Sequence, residues 1–129
     1  MDPAKSQPEF KLTFEHELDY LRAEVTGERD SYDVTVAYWR QIGDELARTG
    51  HKKVLVIEML KENIEIIDAV RAIHERDAST FAGVKIAFFD MKKDHSPTNS
   101  YGAAAAAKLG YAVEVFSDIY KAKEWLLAD

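Results

Sequence analysis

The sequence contains no cysteine among its 129 residues. This absence excludes disulfide frameworks, thiolate nucleophiles and cysteine-ligated zinc. Long apolar runs are missing too: the least polar segment, residues 101–107, is mostly alanine and much shorter than the roughly 20 residues that span a bilayer. The first eight residues lack the apolar stretch of a secretory signal, so we expect a cytoplasmic protein.

The chain also lacks the short motifs that mark common cofactor and catalytic sites. G-x-G-x-x-G, the Walker A motif and G-x-S-x-G are all absent, so nothing predicts a nucleotide cofactor or a serine nucleophile. Lysine and arginine total 17 against 23 aspartate and glutamate, and the net charge is −6. An acidic chain without a basic stripe repels polyphosphates, so we expect no nucleic-acid partner.

The composition that remains is that of a globular protein. Hydrophobic residues make up 47% and charged residues 31%, enough to form a core in a chain of this length. Residues 1–9 contain two prolines and no apolar run, which favours a flexible lead-in. We therefore predict one domain over residues 10–129.

The first elements follow from alternation and helix signals. In residues 10–15 and 21–26 apolar and polar residues alternate, which predicts two strands of an antiparallel hairpin. A helix follows, with Asp30 or Ser31 as its N-cap and Gly50 as its left-handed end.

From residue 53 onward the strands change character. Residues 54–57 and 84–89 are nearly continuous apolar runs, which are typical of strands covered on both faces, and residues 111–116 form the last predicted strand. Helical patterns separate them, and a strand, helix, strand order requires a parallel crossover.

Candidate caps place the later helices. Asparagine and serine are favoured as N-cap residues, and three of them precede a helical pattern: Asn63, Ser96 (before Pro97) and Ser117. The predicted order is β-β-α-β-α-β-α-β-α: an α/β fold with a mixed, mainly parallel five-stranded sheet and four helices. The initial hairpin distinguishes this order from a flavodoxin-like domain, which begins with one strand and a helix.

Two carboxylates fall on neighbouring predicted strands. Glu58 and Asp90 each follow an apolar run with the same parity, so they could be close neighbours. As neighbours they would raise each other's proton affinity and form an acid/base pair, or bind a hard cation with Asp94 or His95. Strand-end acids that simply reach water or cap a helix are the alternative. No zinc-ligand spacing is present, so we predict no metal and no cofactor.

The alanine-rich helix supports a different kind of site. Its small side chains either pack tightly on the sheet or leave an apolar cleft beneath a movable helix. Such a cleft suits a small apolar or lipid-like ligand, and Lys92 with Lys93 beside it would meet an anionic headgroup or a membrane surface. The predicted ligand-binding residues are Phe88, Phe89, Tyr101, Ala104, Ala105 and Leu109.

This element order, with a final amphipathic helix that contains residues 122–126 (AKEWL), resembles the SpoIIAA-like proteins, which are relatives of the STAS domains. The resemblance covers about residues 10–127 and implies a STAS-type fold and a bacterial or archaeal origin. It also implies a distant likeness to CRAL-TRIO lipid carriers, and so an apolar ligand or reversible membrane contact.

STAS-type anti-sigma-factor antagonists carry a phosphorylated serine in D-S-[ST]-G between strand three and helix two. The corresponding residues 61–68 contain no Ser, Thr or Gly, so the phosphoserine switch does not carry over. A partner-binding loop at Asn63, Ile64 and Glu65 would fit a regulatory module without that switch.

Three hypotheses for function remain open. The leading one is a non-enzymatic binding module for a small apolar molecule. The alternatives are a protein–protein regulatory module and a small hydrolase or lyase that uses the carboxylates. Exposed edge strands and Trp39, read as a surface aromatic residue, favour a homodimer.

The predicted carboxyl-end rim of the sheet carries seven acidic residues against four basic ones, which argues against an anionic ligand there. They are Glu28, Asp30, Glu58, Glu62, Asp90, Asp94 and Asp118 against Arg29, Lys61, Lys92 and Lys93.

Overall fold

The computed structural model describes residues 9–76 and 78–128. The predicted lead-in therefore lies outside the described residues, except for Glu9. The strands are β1 (Lys11–His16), β2 (Leu21–Arg29), β3 (Lys53–Glu62), β4 (Lys85–Asp90) and β5 (Ala112–Phe116). The helices are α1 (Tyr32–Thr49), α2 (Ile66–Glu75), α3 (Ser96–Lys108) and α4 (Ile119–Leu127), with short 3₁₀ turns at Ala78–Phe81 and Lys93–His95. The predicted element order is confirmed.

The five strands lie in the sheet in the order of the chain, β1-β2-β3-β4-β5. β1 pairs with β2 in antiparallel orientation, and the pairs β2–β3, β3–β4 and β4–β5 are parallel. The register places Glu58 of β3 directly opposite Asp90 of β4. The mixed, mainly parallel sheet that the sequence predicts is thus confirmed.

The helices cover the two faces of the sheet unequally. When right-handed crossovers add each strand on the same side of the last, the connecting helices all lie on one face. The larger core accordingly joins α1 and Ala106 of α3 to the sheet, with Ile73 of α2 packed against it. α4 lies on the other face, where Ala122 and Leu126 are fully buried against Leu55 and Ala87.

The predicted limits of α1 are confirmed. The Ser31 hydroxyl accepts a hydrogen bond from the Val34 N–H at 3.1 Å, and Gly50 has a φ of 80°, in the left-handed region. The stripe Val34, Tyr38, Ile42 and Leu46 is buried, as the periodicity indicates.

The other three predicted caps are wrong by one or two residues. The residues that precede the helices are Glu65 for α2, His95 for α3 and Asp118 for α4, and only Asp118 accepts backbone hydrogen bonds through its side chain. Asn63 makes its side-chain bonds to the Ile64 N–H and to Thr98 instead. A 3₁₀ turn runs directly into α3, so Ser96 is already helical.

Two burial predictions also need correction. Trp39 is not a surface residue: it is 8% exposed and packs against Phe81 and Phe88. The spacing of Ile67, Val70 and Ile73 predicts a buried face of α2, but Ile67 is 77% exposed. The helix begins at Ile66, later than expected, and Ile73 is the residue of α2 that packs against the larger core. None of the helices in the described residues combines the length and apolar character needed to cross a lipid bilayer.

Candidate functional site

Three side chains converge where β3 and β4 run side by side. Glu58 does not end its strand as predicted, because β3 continues pairing with β2 as far as Glu62. It is therefore 1% exposed, while Asp90, the last residue of β4, is 6% exposed. His95 is also buried, and one ligand-type atom from each of the three lies within 4.8 Å of the others. The predicted proximity of Glu58 and Asp90 is thus observed.

Asp90 is the most heavily hydrogen-bonded member of this group. Its Oδ1 accepts from the Lys92 backbone N–H at 2.8 Å, and its Oδ2 accepts from Asn99 Nδ2 at 2.9 Å. His95 Nδ1 lies 3.0 Å from the same Oδ2. The turn after β4 and the first turn of α3 therefore hold both carboxylate oxygens of Asp90 in place.

Only one of the two carboxylate oxygens of Glu58 has a hydrogen-bond partner among the described residues. The Tyr38 hydroxyl donates to its Oε2 at 2.7 Å, whereas its Oε1 is buried with no partner among the described residues. Burial, followed by the nearby charges of Asp30 and Asp90, raises the pKa of Glu58 well above its ordinary value. Glu58 therefore holds a proton to higher pH than an exposed glutamate does, and a proton on Oε1 lets that oxygen donate a hydrogen bond.

Asp30 is the third buried carboxylate, in the connection between β2 and α1. Its Oδ1 accepts from the Ser31 N–H at 2.8 Å and from the Thr35 hydroxyl at 2.7 Å. Burial outweighs these two hydrogen bonds and raises the pKa of Asp30 to about 6, with a smaller contribution from the charge of Asp90. The sequence indicated Asp30 only as a cap or rim residue, since a lone acidic residue before a helix gives no sign of burial.

A cavity of about 90 Å³ begins at Asp30 and Glu58 and lies between the sheet and helices α1, α2 and α3. Most of its wall is apolar, and it is open to solvent on one side. The lining residues are Asp30, Thr35, Tyr38, Trp39, Glu58, Ile64, Ala69, Ile73, Arg76, Ile86, Phe88, Thr98, Asn99, Gly102, Ala103, Ala106, Tyr111, Val113 and Val115.

Arg76 and Tyr111 supply polar groups at the other end of the cavity. The Arg76 guanidinium lies 4.9 Å from the ring centroid of Trp39, 5.1 Å from that of Phe81 and 5.8 Å from that of Tyr111. The Tyr111 hydroxyl is buried without a hydrogen-bond partner in the described part of the chain. No sequence signal pointed to either residue, because the site joins the end of α2 to the start of β5.

The predicted ligand-binding residues are spread over both faces of the sheet and the surface of α3. Phe88 lines the cavity, whereas Phe89 packs on the opposite face among the residues around α4. Ala105 is half-buried. Ala104, Tyr101 and Leu109 are exposed, the last two by 62% and 43%. From α3 the cavity lining takes Gly102, Ala103 and Ala106 in addition to Thr98 and Asn99. A ligand role for the predicted set stays a prediction.

The remaining predicted site residues also differ in whether they are buried or exposed. Asp94 is exposed, while its neighbour His95 is turned into the buried group. In the predicted partner loop, Asn63 Nδ2 donates to the Thr98 hydroxyl at 2.9 Å and Ile64 is 7% exposed and lines the cavity. Of that loop only Glu65 faces solvent, but the exposed Ile67 follows it closely, and a partner-binding role for the loop stays a prediction.

Glu58, Asp90 and His95 are also the residues that could hold a divalent cation, since carboxylates and imidazole are common ligands of zinc, manganese and iron. The free Oε1 of Glu58 suits such a role. Asp90 is less suited, because its Oδ2 already accepts from Asn99 and lies 3.0 Å from His95 Nδ1, and a metal on that oxygen would compete with these contacts. A proton on Glu58 accounts for the same geometry without that competition. The expectation of no metal stays a prediction.

Comparison with known proteins supports an assignment of the fold but not of an activity. No protein-family model matches the chain, and no curated protein is significantly similar to it in sequence. The fold is similar to the crystal structure of an uncharacterized protein of the DUF3478 family from Shewanella loihica PV-4, described as having a SpoIIAA-like fold. The two chains are 15% identical, with a TM-score of 0.54 over 91% of this chain and 93% of the other. The chain thus has a SpoIIAA-like fold, as its element order predicts; the likeness to CRAL-TRIO carriers stays a prediction.

Proposed function

We propose that this protein is a binding module for a small, mainly apolar organic molecule, which occupies the cavity between the sheet and helices α1 to α3. The observation that carries the proposal is the cavity itself, apolar in its walls and lined by two buried oxygens, Glu58 Oε1 and the Tyr111 hydroxyl, that lack hydrogen-bond partners in the described residues. Leaving a buried polar atom unpaired costs about 1–3 kcal/mol, so a ligand that pairs with it gains that energy.

The walls fit an apolar occupant. Trp39 and Phe88 stack with their ring centroids 6.1 Å apart, and both line the cavity with Ile86 and Val115. Gly102 and Ala103 present the smallest side chains of α3 to this space, which is why the helix leaves a gap above the sheet. A pocket with apolar walls and a few placed polar groups is the usual form of a small-molecule site.

The size of the cavity limits the ligand. A closed cavity of about 150 Å³ holds one benzene molecule, and this one measures about 90 Å³. A ligand of a few heavy atoms therefore fits within it, and a larger one must extend through the open side. This limit favours a small molecule over a long-chain lipid, whose acyl chain would require α3 to move.

A cavity-filling variant tests the proposal. In Ala103→Leu the added side chain enters the cavity, while Ala104→Leu places the same side chain on the exposed face of the same helix and serves as the control. Cyclohexanol and 3-methylbutanamide are titrated into ¹⁵N-labelled protein, and native mass spectrometry of freshly purified protein shows whether a molecule co-purifies.

We expect chemical-shift changes at cavity residues in the wild type and in Ala104→Leu, and a loss of at least tenfold in affinity in Ala103→Leu. Binding that is equal in all three proteins, or no shift at any cavity residue with no co-purified molecule, would overturn the proposal.

The second candidate function is an enzyme, a hydrolase or lyase, and one specific observation favours it. Glu58 and Asp90 lie side by side on one face, and burial raises the pKa of Glu58, so the pair holds one acid and one base beside an apolar cavity. Hydrolysis of p-nitrophenyl acetate that Glu58→Gln and Asp90→Asn both abolish would support this candidate. Hydrolysis that survives both substitutions would remove it.

Two expectations concern the surroundings of the protein, and we retain both as proposals. Lys92 and Lys93 are exposed and could contact anionic lipid; sedimentation with vesicles that contain an anionic phospholipid tests this. The homodimer no longer draws on Trp39, which is buried, and depends on the edge strands β1 and β5 alone. Analytical ultracentrifugation measures it. The cytoplasmic location likewise stays a prediction.

A further inference from the structure

We infer that the cavity binds a small organic carboxylate, with the carboxylate on Arg76 and the Tyr111 hydroxyl and the apolar part of the molecule against Trp39 and Phe88. The inference rests on the proposed function, because it names the class of ligand that the same cavity takes. The expectation that an anionic ligand is disfavoured concerns the rim at the carboxyl ends of the strands, whereas Arg76 and Tyr111 lie at the opposite end of the cavity.

Arg76 is held in place but not neutralised. Four other arginines lie within 4.0 Å of a glutamate carboxylate oxygen: Arg22, Arg29, Arg48 and Arg71. Among the described residues no carboxylate pairs with Arg76 in this way. Its guanidinium lies instead among the rings of Trp39, Phe81 and Tyr111, which stabilise a cation through their π faces but accept few of its hydrogen bonds.

The burial of Arg76 also favours a bound anion. Removal from water lowers the pKa of Arg76, and the nearby phenols of Tyr111 and Tyr38 offset that effect only in part. A bound anion would offset it, because the attraction between opposite charges is strongest where water is excluded.

The Tyr111 hydroxyl is the second observation. Tyr111 is 8% exposed, its hydroxyl has no partner among the described residues, and its ring contacts the Arg76 guanidinium. Arg76 follows the end of α2 and Tyr111 precedes β5, so both lie near the amino ends of the parallel strands. An unpaired cation and an unpaired hydroxyl donor thus meet at one end of the same cavity.

The acidic side chains of the cavity lie at its other end. Asp30 and Glu58 line the cavity towards the carboxyl ends of the strands, away from Arg76. A carboxylate at the Arg76 end is therefore separated from the negative charge that Asp30, with a pKa of about 6, carries at neutral pH. Arg76 also borders a second cavity, of about 310 Å³, whose charged lining consists of Arg40, Asp44 and Glu75 besides Arg76 itself. Tyr111 lines the apolar cavity and not this second one, so only from the apolar cavity does a carboxylate reach both Arg76 and the Tyr111 hydroxyl.

The chemistry selects a carboxylate over a phosphate. A guanidinium presents two parallel N–H groups that match the two oxygens of a carboxylate, and the Tyr111 hydroxyl adds one further donor. A phosphate monoester brings three terminal oxygens and up to two charges, more than one cation and one hydroxyl can satisfy. The volume also favours the smaller group.

The test compares 3-methylbutanoate with 3-methylbutanamide, which has nearly the same shape and no charge. Both are titrated by NMR and calorimetry into wild-type protein, Arg76→Gln, Tyr111→Phe and the control Arg71→Met, which removes an exposed arginine from α2. We expect the carboxylate to bind about 10- to 100-fold more tightly than the amide, the range of a hydrogen bond to a charged group. Arg76→Gln should abolish this preference and leave amide binding intact, Tyr111→Phe should reduce it severalfold, and Arg71→Met should not change it.

The outcomes separate this inference from the proposed function. Equal affinity for the two probes in the wild type, or an unchanged preference in Arg76→Gln, overturns the carboxylate assignment and leaves the binding module intact. Tighter binding of 3-methylbutyl phosphate than of 3-methylbutanoate also overturns it. If neither probe binds, and cyclohexanol also leaves every cavity residue unshifted, the proposed function fails as well. Should Arg76→Gln not fold, the wild-type comparison and Tyr111→Phe still decide the question.

Discussion

The buried carboxylate of Asp30 makes the stability of the protein depend on pH, and the size of this effect follows from its pKa. An aspartate that ionises at about 6 in the folded state and at 3.8 in the unfolded state favours folding less as pH rises, because the unfolded chain ionises first. The full difference is about 3 kcal/mol at about 1.4 kcal/mol per pKa unit. About 1 kcal/mol of the free energy of unfolding is already lost at pH 4.5, so about 2 kcal/mol more is lost between pH 4.5 and pH 8.

Asp30→Asn should remove this loss. The amide oxygen can still accept the hydrogen bonds of the Ser31 N–H and the Thr35 hydroxyl, so the local structure is retained while the titration is not. Urea unfolding at pH 4.5, 6 and 8 measures the free energy of unfolding of the variant and the wild type. We expect the variant to lose about 2 kcal/mol less over this range.

Asp19→Asn is the matched control, because Asp19 is exposed in the turn between β1 and β2. Its stability should follow the wild type across the three pH values. If Asp30→Asn falls with pH as steeply as the wild type, Asp30 does not ionise as a buried group and the reasoning about this end of the cavity is wrong.

Two further predictions concern Glu58 and the packing of α1. Glu58→Gln should increase the free energy of unfolding at pH 8 more than at pH 4.5, since a buried acid with a raised pKa opposes folding only once the unfolded chain ionises; an increase of the same size at both pH values would contradict this. Gly43→Ala should destabilise the protein by about 1–3 kcal/mol in thermal or urea unfolding, because the new Cβ would lie 2.5 Å from Thr80 Cγ2. Adding Thr80→Ser removes that methyl group and should recover the lost stability. If the double variant is no more stable than Gly43→Ala, the contact with Thr80 is not the cause.

Much of the fold was predictable because it depends on local chemistry. Ser31 and Gly50 limit α1 through bonds and angles within a few residues, and the short apolar runs at 54–57 and 84–89 are typical of strands covered on both faces. The other caps were misplaced because several neighbouring polar residues could each begin a helix. Tertiary contacts decided between them, as when Asn63 bonds to Thr98 of α3.

The candidate site was predictable in one half only. Strand parity correctly brought Glu58 and Asp90 together, because side chains alternate regularly along a strand. Arg76 and Tyr111 are 35 residues apart in sequence and meet only through packing with Trp39 and Phe81. No periodicity carries that information, so the basic end of the cavity was missed, and the charge count described only the rim at the opposite, carboxyl ends of the strands.

The sheet adds its strands in the order in which the chain presents them. Each strand from β2 to β5 therefore finds its neighbour one helical crossover away, and none must wait for a distant segment before it can pair. These pairings close loops of about 30 residues, so they lose less loop-closure entropy than a parallel sheet in which the strand order departs from that of the chain. They also mean that β2, α1 and β3 can pair once residue 62 has emerged from the ribosome, before the cavity walls of α3 and β5 exist.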